Sequence, residues 1–154
     1  MSGAGKYFFQ AVADKTPANT FVDQMKKSGI PIPGIGHKIK SLHNPDRRCT
    51  ILYELAQSFP VRTHLDFAKS VEAITVMKKA NLILNVDGHI AAMMLDIMLD
   101  LQFDAKTIQN YIDADIFNGL FILARSIGFI GHHIDQKRLD EGLYRTAWDD
   151  ILYS

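Results

Sequence analysis

An apolar segment at residues 89–101 limits the folds open to this chain more than any other stretch does. It follows the motif Asn-Val-Asp-Gly at residues 85–88, and it carries apolar side chains at nearly every helical position. A helix that is apolar on nearly every side is buried inside a protein. We therefore expect the other elements to surround this segment, with one carboxylate, Asp87, at its start.

Helical periodicity recurs along the rest of the chain. Apolar residues three or four positions apart follow helix-start signals near Pro17, Asn44, Thr63 and Asp104. Thr63 is a plausible N-cap, because its hydroxyl can accept a hydrogen bond from the first turn. Residues 115–134 predict a second buried helix. Its glycines, which would permit close contact with neighbouring helices, are Gly119, Gly128 and Gly131.

Strand signals are scarce, and the run at residues 82–86 is the one candidate strand. The predicted fold class is therefore all-α. The 154 residues suit one domain with one core, spanning residues 1–154. No stretch has the length and composition of a membrane span, because the most apolar segment, residues 116–130, is short and contains an arginine.

Charge and cysteine content restrict the partners and the compartment. Lys plus Arg equals Asp plus Glu at 17 each, so a bulk electrostatic attraction to nucleic acid is not expected. The single cysteine, Cys49, can form neither an internal disulfide nor a cysteine metal site. The N-terminus lacks the apolar run of a signal peptide. These features favour a reducing, cytoplasmic compartment.

The loop at residues 29–36 holds three glycines and two prolines, which exclude helix and sheet interiors. His37 follows this loop at once, so its position is constrained, and it can donate, accept or shuttle a proton near neutral pH. The simpler alternative is an exposed loop histidine without a catalytic role. A dinucleotide fingerprint is discounted, because the third glycine and a preceding strand are missing.

Cations flank both this loop and Asp87. They form two clusters that would suit a phosphate-bearing ligand, although solvated helix ends explain each one singly. The clusters consist of Lys38, Lys40, Arg47, Arg48, Lys78 and Lys79. Arg125 lies within the apolar segment at residues 115–134, where a buried guanidinium needs an anion. That anion could be Asp87, Asp96 or Asp115, or a carboxylate on a ligand.

Asp87 itself has two readings. It could cap the helix that follows, which is the common role of an aspartate at such a position. It could equally be an acid or base with His37 as polariser and Arg125 as carboxylate clamp, a set that suits proton transfer next to a thioester carbonyl. No metal is expected, because the pair His132-His133 lacks further ligands at zinc spacing.

Five motifs in order resemble a known family. They are Gly-Ile-Gly-His-Lys-Ile-Lys-Ser at 34–41, Asn-Pro-Asp-Arg-Arg at 44–48, Asn-Leu-Ile-Leu-Asn-Val-Asp-Gly at 81–88, Leu-Ala-Arg-Ser-Ile-Gly-Phe-Ile-Gly-His at 123–132, and Asp-Gln-Lys-Arg-Leu at 135–139 closing with Gly-Leu-Tyr-Arg at 142–145 and Trp-Asp-Asp at 148–150. Together they resemble the C-terminal, citrate-synthase-like module of the ATP-citrate lyase family. The resemblance runs from about Gly3 to the end and implies a citrate-synthase-type helical fold, comprising the small domain and part of the large one.

The resemblance also implies residue roles. His37 matches the histidine at the hydroxyl or carbonyl oxygen of citrate and oxaloacetate, and Asp87 matches the carboxylate that exchanges a proton with the methyl carbon of acetyl-CoA. Arg48 and Arg125 match arginines that bind citrate carboxylates, and Arg145 matches one that reaches a neighbouring subunit's site. The positions implied for coenzyme A are Gly34, Ile35, Gly36, Lys40, Lys78 and Lys79.

The implied reaction is cleavage of citryl-CoA to acetyl-CoA and oxaloacetate, by a homodimer or tetramer. We expect the N-terminal half of the module and the parts that make citryl-CoA to lie outside this chain, on a partner chain. Lys38 stands where the family commonly has arginine, and Thr146-Ala147 stands where it has His-Pro. The alternative is a non-catalytic module that binds coenzyme A or citrate, or that completes a partner chain.

Overall fold

The computed structural model describes residues 1–142, and these form seven α-helices without a strand. The predicted all-α class is confirmed. The helices are α1 (Ser2–Ala13), α2 (Ala18–Ser28), α3 (Arg47–Ala56), α4 (Thr63–Lys78), α5 (Val86–Asp100), α6 (Ala105–Asp113) and α7 (Ile116–Arg138).

Helix α5 is the centre of the core, as its composition predicts. Its buried side chains include Leu95 and Ala91, which are fully enclosed, and α1, α3 and α4 pack around it. Helix α2 covers α4, and α6 closes one side of α1. Burial of one large aliphatic side chain contributes about 1.5–3 kcal/mol, so this layer around α5 supplies much of the stability of the fold.

The start of α4 is capped from α5, which sequence reasoning did not foresee. The Asp96 carboxylate accepts hydrogen bonds from the backbone N–H groups of His64 at 2.8 Å and Leu65 at 3.0 Å. The His64 ring nitrogen Nδ1 lies 2.9 Å from the same carboxylate, and both side chains are buried. The prediction that Thr63 caps α4 is wrong, since Thr63 is already helical and a buried carboxylate from another helix satisfies the free N–H groups.

Helix α7 contradicts the expected burial. Phe117 is its one buried residue in the part of the chain that the structure describes, while Ile127, Phe129 and Ile130 are exposed. A Cβ added at Gly119, Gly128 or Gly131 would meet no atom within 4 Å, so the expected close contacts at these glycines are also missing. The physical reason is that residues 1–142 cover little of α7 beyond Phe117, so most of its apolar side chains have no surface to pack on.

Among these residues no single helix is long and apolar enough to cross a membrane. Taken together, α6 and α7 reach that length and composition, but they are bent by 52° where they meet.

The glycine loop at residues 29–36 lies directly against the start of α5. Gly34 has φ +85°, and a Cβ built there would sit 2.8 Å from the Cα of Gly88. The candidate strand at residues 82–86 is reduced to a single antiparallel bridge between Ile35 and Leu84. The two glycines thus allow the two backbones to approach more closely than any side chain would permit.

We expect Gly34→Ala to destabilise the protein by about 3 kcal/mol, because the new methyl adds overpacking to the strain of a positive φ. Gly29 is a matched control, since it has φ +70° and open space around it. Gly29→Ala should therefore cost only the backbone strain, about 1–2 kcal/mol. Urea unfolding of both variants measures the difference, and equal losses would show that the contact with Gly88 contributes nothing.

Candidate active site

Two asparagines hold the His37 loop against the segment that leads into α5. The Asn81 side-chain amide donates to the carbonyl of His37 at 3.0 Å, and the His37 N–H donates to the carbonyl of Asn81 at 3.0 Å. The Asn85 amide donates to the carbonyl of Gly36 at 2.9 Å, and its backbone N–H donates to the carbonyl of Gly34 at 2.9 Å. These bonds set the position of His37 relative to the first turn of α5.

The ring of His37 is fixed by its own loop. Its Nδ1 accepts hydrogen bonds from the backbone N–H groups of Ile39 at 3.0 Å and Lys40 at 2.8 Å. A nitrogen that accepts two such bonds carries no hydrogen, so in the neutral ring the hydrogen resides on Nε2. His37 is therefore a positioned residue and not an unconstrained loop histidine, and its Nε2 is a donor.

Asp87 lies in the first turn of α5 and does not cap it. The N-cap is Asn85, whose side-chain oxygen accepts from the N–H of Gly88 at 3.1 Å. The interpretation of Asp87 as the helix cap is therefore wrong, because the asparagine two residues earlier already performs that task. The Asp87 carboxylate is left to line the adjacent cleft.

Arg48 reaches the same cleft from the first turn of α3. Its Nε and Nη2 lie 3.0 Å and 2.7 Å from the two oxygens of Asp46, which is the N-cap of this helix. The Arg48 guanidinium holds the pKa of Asp46 below its ordinary value, although burial of the carboxyl opposes the shift. Both groups are thus charged at neutral pH, and the orientation of the guanidinium is fixed.

Arg125 was expected to be buried, but the structure shows it exposed on α7. It forms no ion pair with Asp87, Asp96 or Asp115 in the described part of the chain, and its guanidinium carbon lies 4.3 Å from the ring centroid of Phe121. The stacking follows from the spacing of four residues on one helix. Of the partners predicted for Arg125, a carboxylate on a ligand is the one that remains.

These residues meet in one open cleft of about 180 Å³. It is lined by His37, Arg48, Asn85, Val86, Asp87, Phe121 and Arg125. Two guanidinium groups favour a ligand with several carboxylates. Nε2 of His37 can donate a hydrogen bond to an oxygen of that ligand, and the Asp87 carboxylate can exchange a proton with a carbon. The cleft therefore carries groups for binding and for proton transfer.

A second, apolar pocket of about 230 Å³ is lined in part by the glycine loop. Ile32, Ile35 and Leu82 line it, and two lysines, Lys26 and Lys78, stand among its lining residues. Aliphatic walls with nearby ammonium groups fit a ligand that joins an apolar ring to phosphates. Ile35 and Lys78, both predicted for coenzyme A, are therefore brought together.

The other residues predicted for coenzyme A are placed differently. Lys40 is buried, and its Nζ lies 3.4 Å from the side-chain oxygen of Asn44. Lys79 is exposed at the C-terminal end of α4. Gly34 contacts Gly88 rather than open space, and Gly36, with φ +101°, hydrogen-bonds through its N–H to the carbonyl of Ile83 at 2.7 Å. Neither glycine lines the apolar pocket, and neither does Lys40 or Lys79.

Arg145, predicted to reach a neighbouring subunit, lies outside the described residues.

Cys49 and His89 lie together in a further cavity between α3, α4 and α5. Burial raises the pKa of the Cys49 thiol to about 12, so this cysteine is packed and unreactive. Burial also lowers the pKa of His89, whose Nδ1 lies 3.1 Å from the carbonyl of Asn85. Within residues 1–142, no three histidine, cysteine or acidic side chains are grouped to hold a metal ion.

Sequence reasoning missed five residues that build these sites: Asn81, Asn85, Asp46, Phe121 and Lys26. Two of them carried a readable signal. Phe121 precedes Arg125 by one helical turn, and Asn85 stands three residues before Gly88, the spacing of an N-cap bond. The roles of the other three depend on contacts between distant segments or on a side chain that folds back, which no spacing rule reveals.

The matches to known proteins agree with this architecture. The family model for the C-terminal domain of citrate synthase matches residues 4–147. The human ATP-citrate synthase is 48% identical over 99% of this chain, which spans 14% of that protein. The ATP citrate lyase from Methanothrix soehngenii, solved in complex with citrate and coenzyme A, superposes with a TM-score of 0.84 at 46% identity over 99% of this chain and 25% of its own.

A citryl-CoA lyase from Hydrogenobacter thermophilus is more distant, with a TM-score of 0.67 and 26% identity over 98% of this chain and 54% of its own. The chain thus spans a small part of its ATP-citrate synthase relatives and about half of this lyase. The resemblance inferred from the motifs is confirmed by the match to both groups. This chain therefore belongs to the citrate synthase family, as a relative of the ATP-citrate synthases.

Proposed function

We propose that this chain is the C-terminal half of a citryl-CoA-cleaving module, which yields acetyl-CoA and oxaloacetate. The observation that carries the proposal is the convergence of His37, Asp87, Arg48 and Arg125 on one cleft. Its relatives supply the substrate class, since one was solved with citrate and coenzyme A and another is a citryl-CoA lyase.

The proposed chemistry follows from the two groups that can move protons. In the direction of synthesis, Asp87 removes a proton from the methyl group of acetyl-CoA. As the new carbon–carbon bond forms, His37 protonates the carbonyl oxygen through Nε2–H. Cleavage is the reverse and starts from the protonation state that synthesis leaves, with Nε2 of His37 deprotonated and Asp87 protonated. The hydroxyl proton goes to Nε2, the electron pair of the breaking carbon–carbon bond goes to the methylene carbon, and Asp87 protonates that carbon.

The two hydrogen bonds to Nδ1 of His37 support this role. They remain in place while Nε2 gives up its hydrogen, and they stabilise the electron-rich ring that results. Arg48 and Arg125 would hold the carboxylates of the citryl group, so that its hydroxyl faces His37 and its methylene faces Asp87.

Coenzyme A would occupy the apolar pocket beside the glycine loop. Its adenine would pack on Ile32, Ile35 and Leu82, and its phosphates would meet Lys26 and Lys78, with Lys79 one residue further on. Lys40 would support the loop from its buried position rather than bind the ligand. Arg145 would complete the citrate site of a neighbouring subunit.

The proposed assembly is a homodimer or tetramer joined by a chain or segment that supplies the remaining parts. The exposed apolar side chains of α7 support this, because such a face is stable in water only when another surface covers it. A cytoplasmic location is consistent with the packed, reduced cysteine.

A second candidate is a module that binds coenzyme A or citrate, or completes a partner chain, without turnover. The openness of the cleft favours it, since residues 1–142 leave Arg125 exposed and do not enclose a substrate. Water exclusion is part of such chemistry. Calorimetric titration of the purified chain with coenzyme A and with citrate, beside a cleavage assay, separates the two. Binding without cleavage in any assembly would favour the second candidate.

We expect Asp87→Ala to lower the rate of citryl-CoA cleavage by about 10²–10⁴-fold, because the proton donor to carbon is lost. Binding of citryl-CoA should change little. Turnover is measured in the active assembly as oxaloacetate released from supplied citryl-CoA. Asp100→Ala is the control, since Asp100 lies on the same helix and is exposed. Unchanged turnover in Asp87→Ala would refute the mechanism.

We expect His37→Asn to fold normally and to lose about 10²–10³-fold in turnover. The asparagine oxygen can take over the acceptor position of Nδ1 toward Ile39 and Lys40, whereas nothing replaces Nε2. The change thus preserves the loop and removes only the group that serves the oxygen. Turnover close to that of the wild type, with unfolding unaltered, would show that Nε2 takes no part in the reaction.

A further inference from the structure

Within residues 1–142, Asp46 is the one buried acidic residue whose carboxylate is hydrogen-bonded to an arginine of the cleft. Its side chain is 3% exposed, whereas the Arg48 side chain is 55% exposed. One carboxylate oxygen accepts from the backbone N–H and from Nε of Arg48, both at 3.0 Å, and the other accepts from Nη2 at 2.7 Å. Residues two apart on a helix do not normally face each other, so this pairing arises because the cap side chain folds back over the first turn.

We propose that Asp46 is a positioning residue for citrate, acting through Arg48; this rests on the proposed function. The carboxylate engages the edge of the guanidinium formed by Nε and Nη2. The edge formed by Nη1 and Nη2 is therefore turned away from Asp46, and the guanidinium lines the cleft with His37 and Asp87. A planar guanidinium that is held through Nε and Nη2 directs its Nη1–Nη2 edge to one side. That geometry suits bidentate binding of a ligand carboxylate.

The backbone that leads into Asp46 is itself constrained. Ser41 and Asn44 exchange backbone hydrogen bonds of 3.0 Å and 3.1 Å, and Pro45 restricts the backbone immediately before the cap. An exposed arginine without such support samples many rotamers, and ordering it would weaken binding. Asp46 thus restricts the Arg48 guanidinium in the free protein, so less of its ordering is left to the ligand.

Asp46→Asn is the sharpest variant. Asparagine caps a helix as well as aspartate does, so its oxygen keeps the bond to the N–H of Arg48. The side-chain NH2 group, however, then faces Nη2 of Arg48 as donor against donor, and the negative charge of the aspartate is lost. We expect the KM for citryl-CoA and the dissociation constant for citrate to rise about tenfold, with kcat within about twofold, because uniform binding is lost. In ¹⁵N spectra the Arg48 Nε–H should change from a rigid to a mobile group.

Asp104→Asn is the matched control. Asp104 is also an N-cap aspartate, on α6, and accepts from the N–H of Thr107 at 2.7 Å, but it is exposed and no ion pair joins it to an arginine within residues 1–142. The same substitution there should leave the KM, citrate binding and the Arg48 signal unchanged.

A second test uses Arg48→Lys, because a lysine cannot form the two-nitrogen contact with the Asp46 carboxylate. Adding Asp46→Asn to it should raise the KM by less than twofold.

Three results would overturn the proposal: a rigid Arg48 Nε–H in Asp46→Asn, tighter citrate binding in that variant, or full additivity with Arg48→Lys. Tighter binding would mean that Asp46 competes with citrate for the guanidinium. Failure of the proposed function gives a different pattern. In that case citrate and citryl-CoA would leave the Arg48 signal of the wild-type chain unmoved, while Asp46→Asn would still release the side chain.

Discussion

The contact between Gly34 and Gly88 is the constraint on which the site depends. It brings the backbone of the glycine loop against the first turn of the buried helix α5, at a distance that a single methyl group would prevent. The bonds from Asn81 and Asn85 then lock the two segments together. His37 and Asp87, which are 50 residues apart in the chain, become neighbours on one cleft as a consequence.

The two arginines of the cleft are oriented by side chains close to them in the sequence. Arg48 is held by the cap of its own helix, and Arg125 is stacked on Phe121 one turn away. Both arginines gain orientation from these contacts, and two backbone donors fix Nδ1 of His37 as an acceptor. The side chains of His37, Arg48 and Arg125 are thus oriented before a ligand arrives, which is the condition for electrostatic preorganisation.

Helix α7 shows why a part of a family fold can look incomplete in isolation. Its composition is that of a core helix, but its apolar side chains project from residues 1–142 without a covering surface. The chain matches about half of the citryl-CoA lyase and a quarter of the Methanothrix soehngenii ATP citrate lyase. The expected burial failed because hydrophobic periodicity reports that a surface needs to be covered, and it does not report which polypeptide covers it.

The amino-acid sequence was sufficient for the all-α class, the central position of α5, the glycine loop and most of the cleft, because these follow from short-range periodicity, from backbone-restricting residues and from distinctive motifs. It misassigned the helix caps of α4 and α5 and the burial of Arg125, and it missed the roles of Asp46, Asn81 and Asn85. Those features came from the folded structure. Hydrogen bonds between distant segments, such as those that Asp96 accepts from the first turn of α4, depend on how helices pack, and local spacing carries no information about that packing.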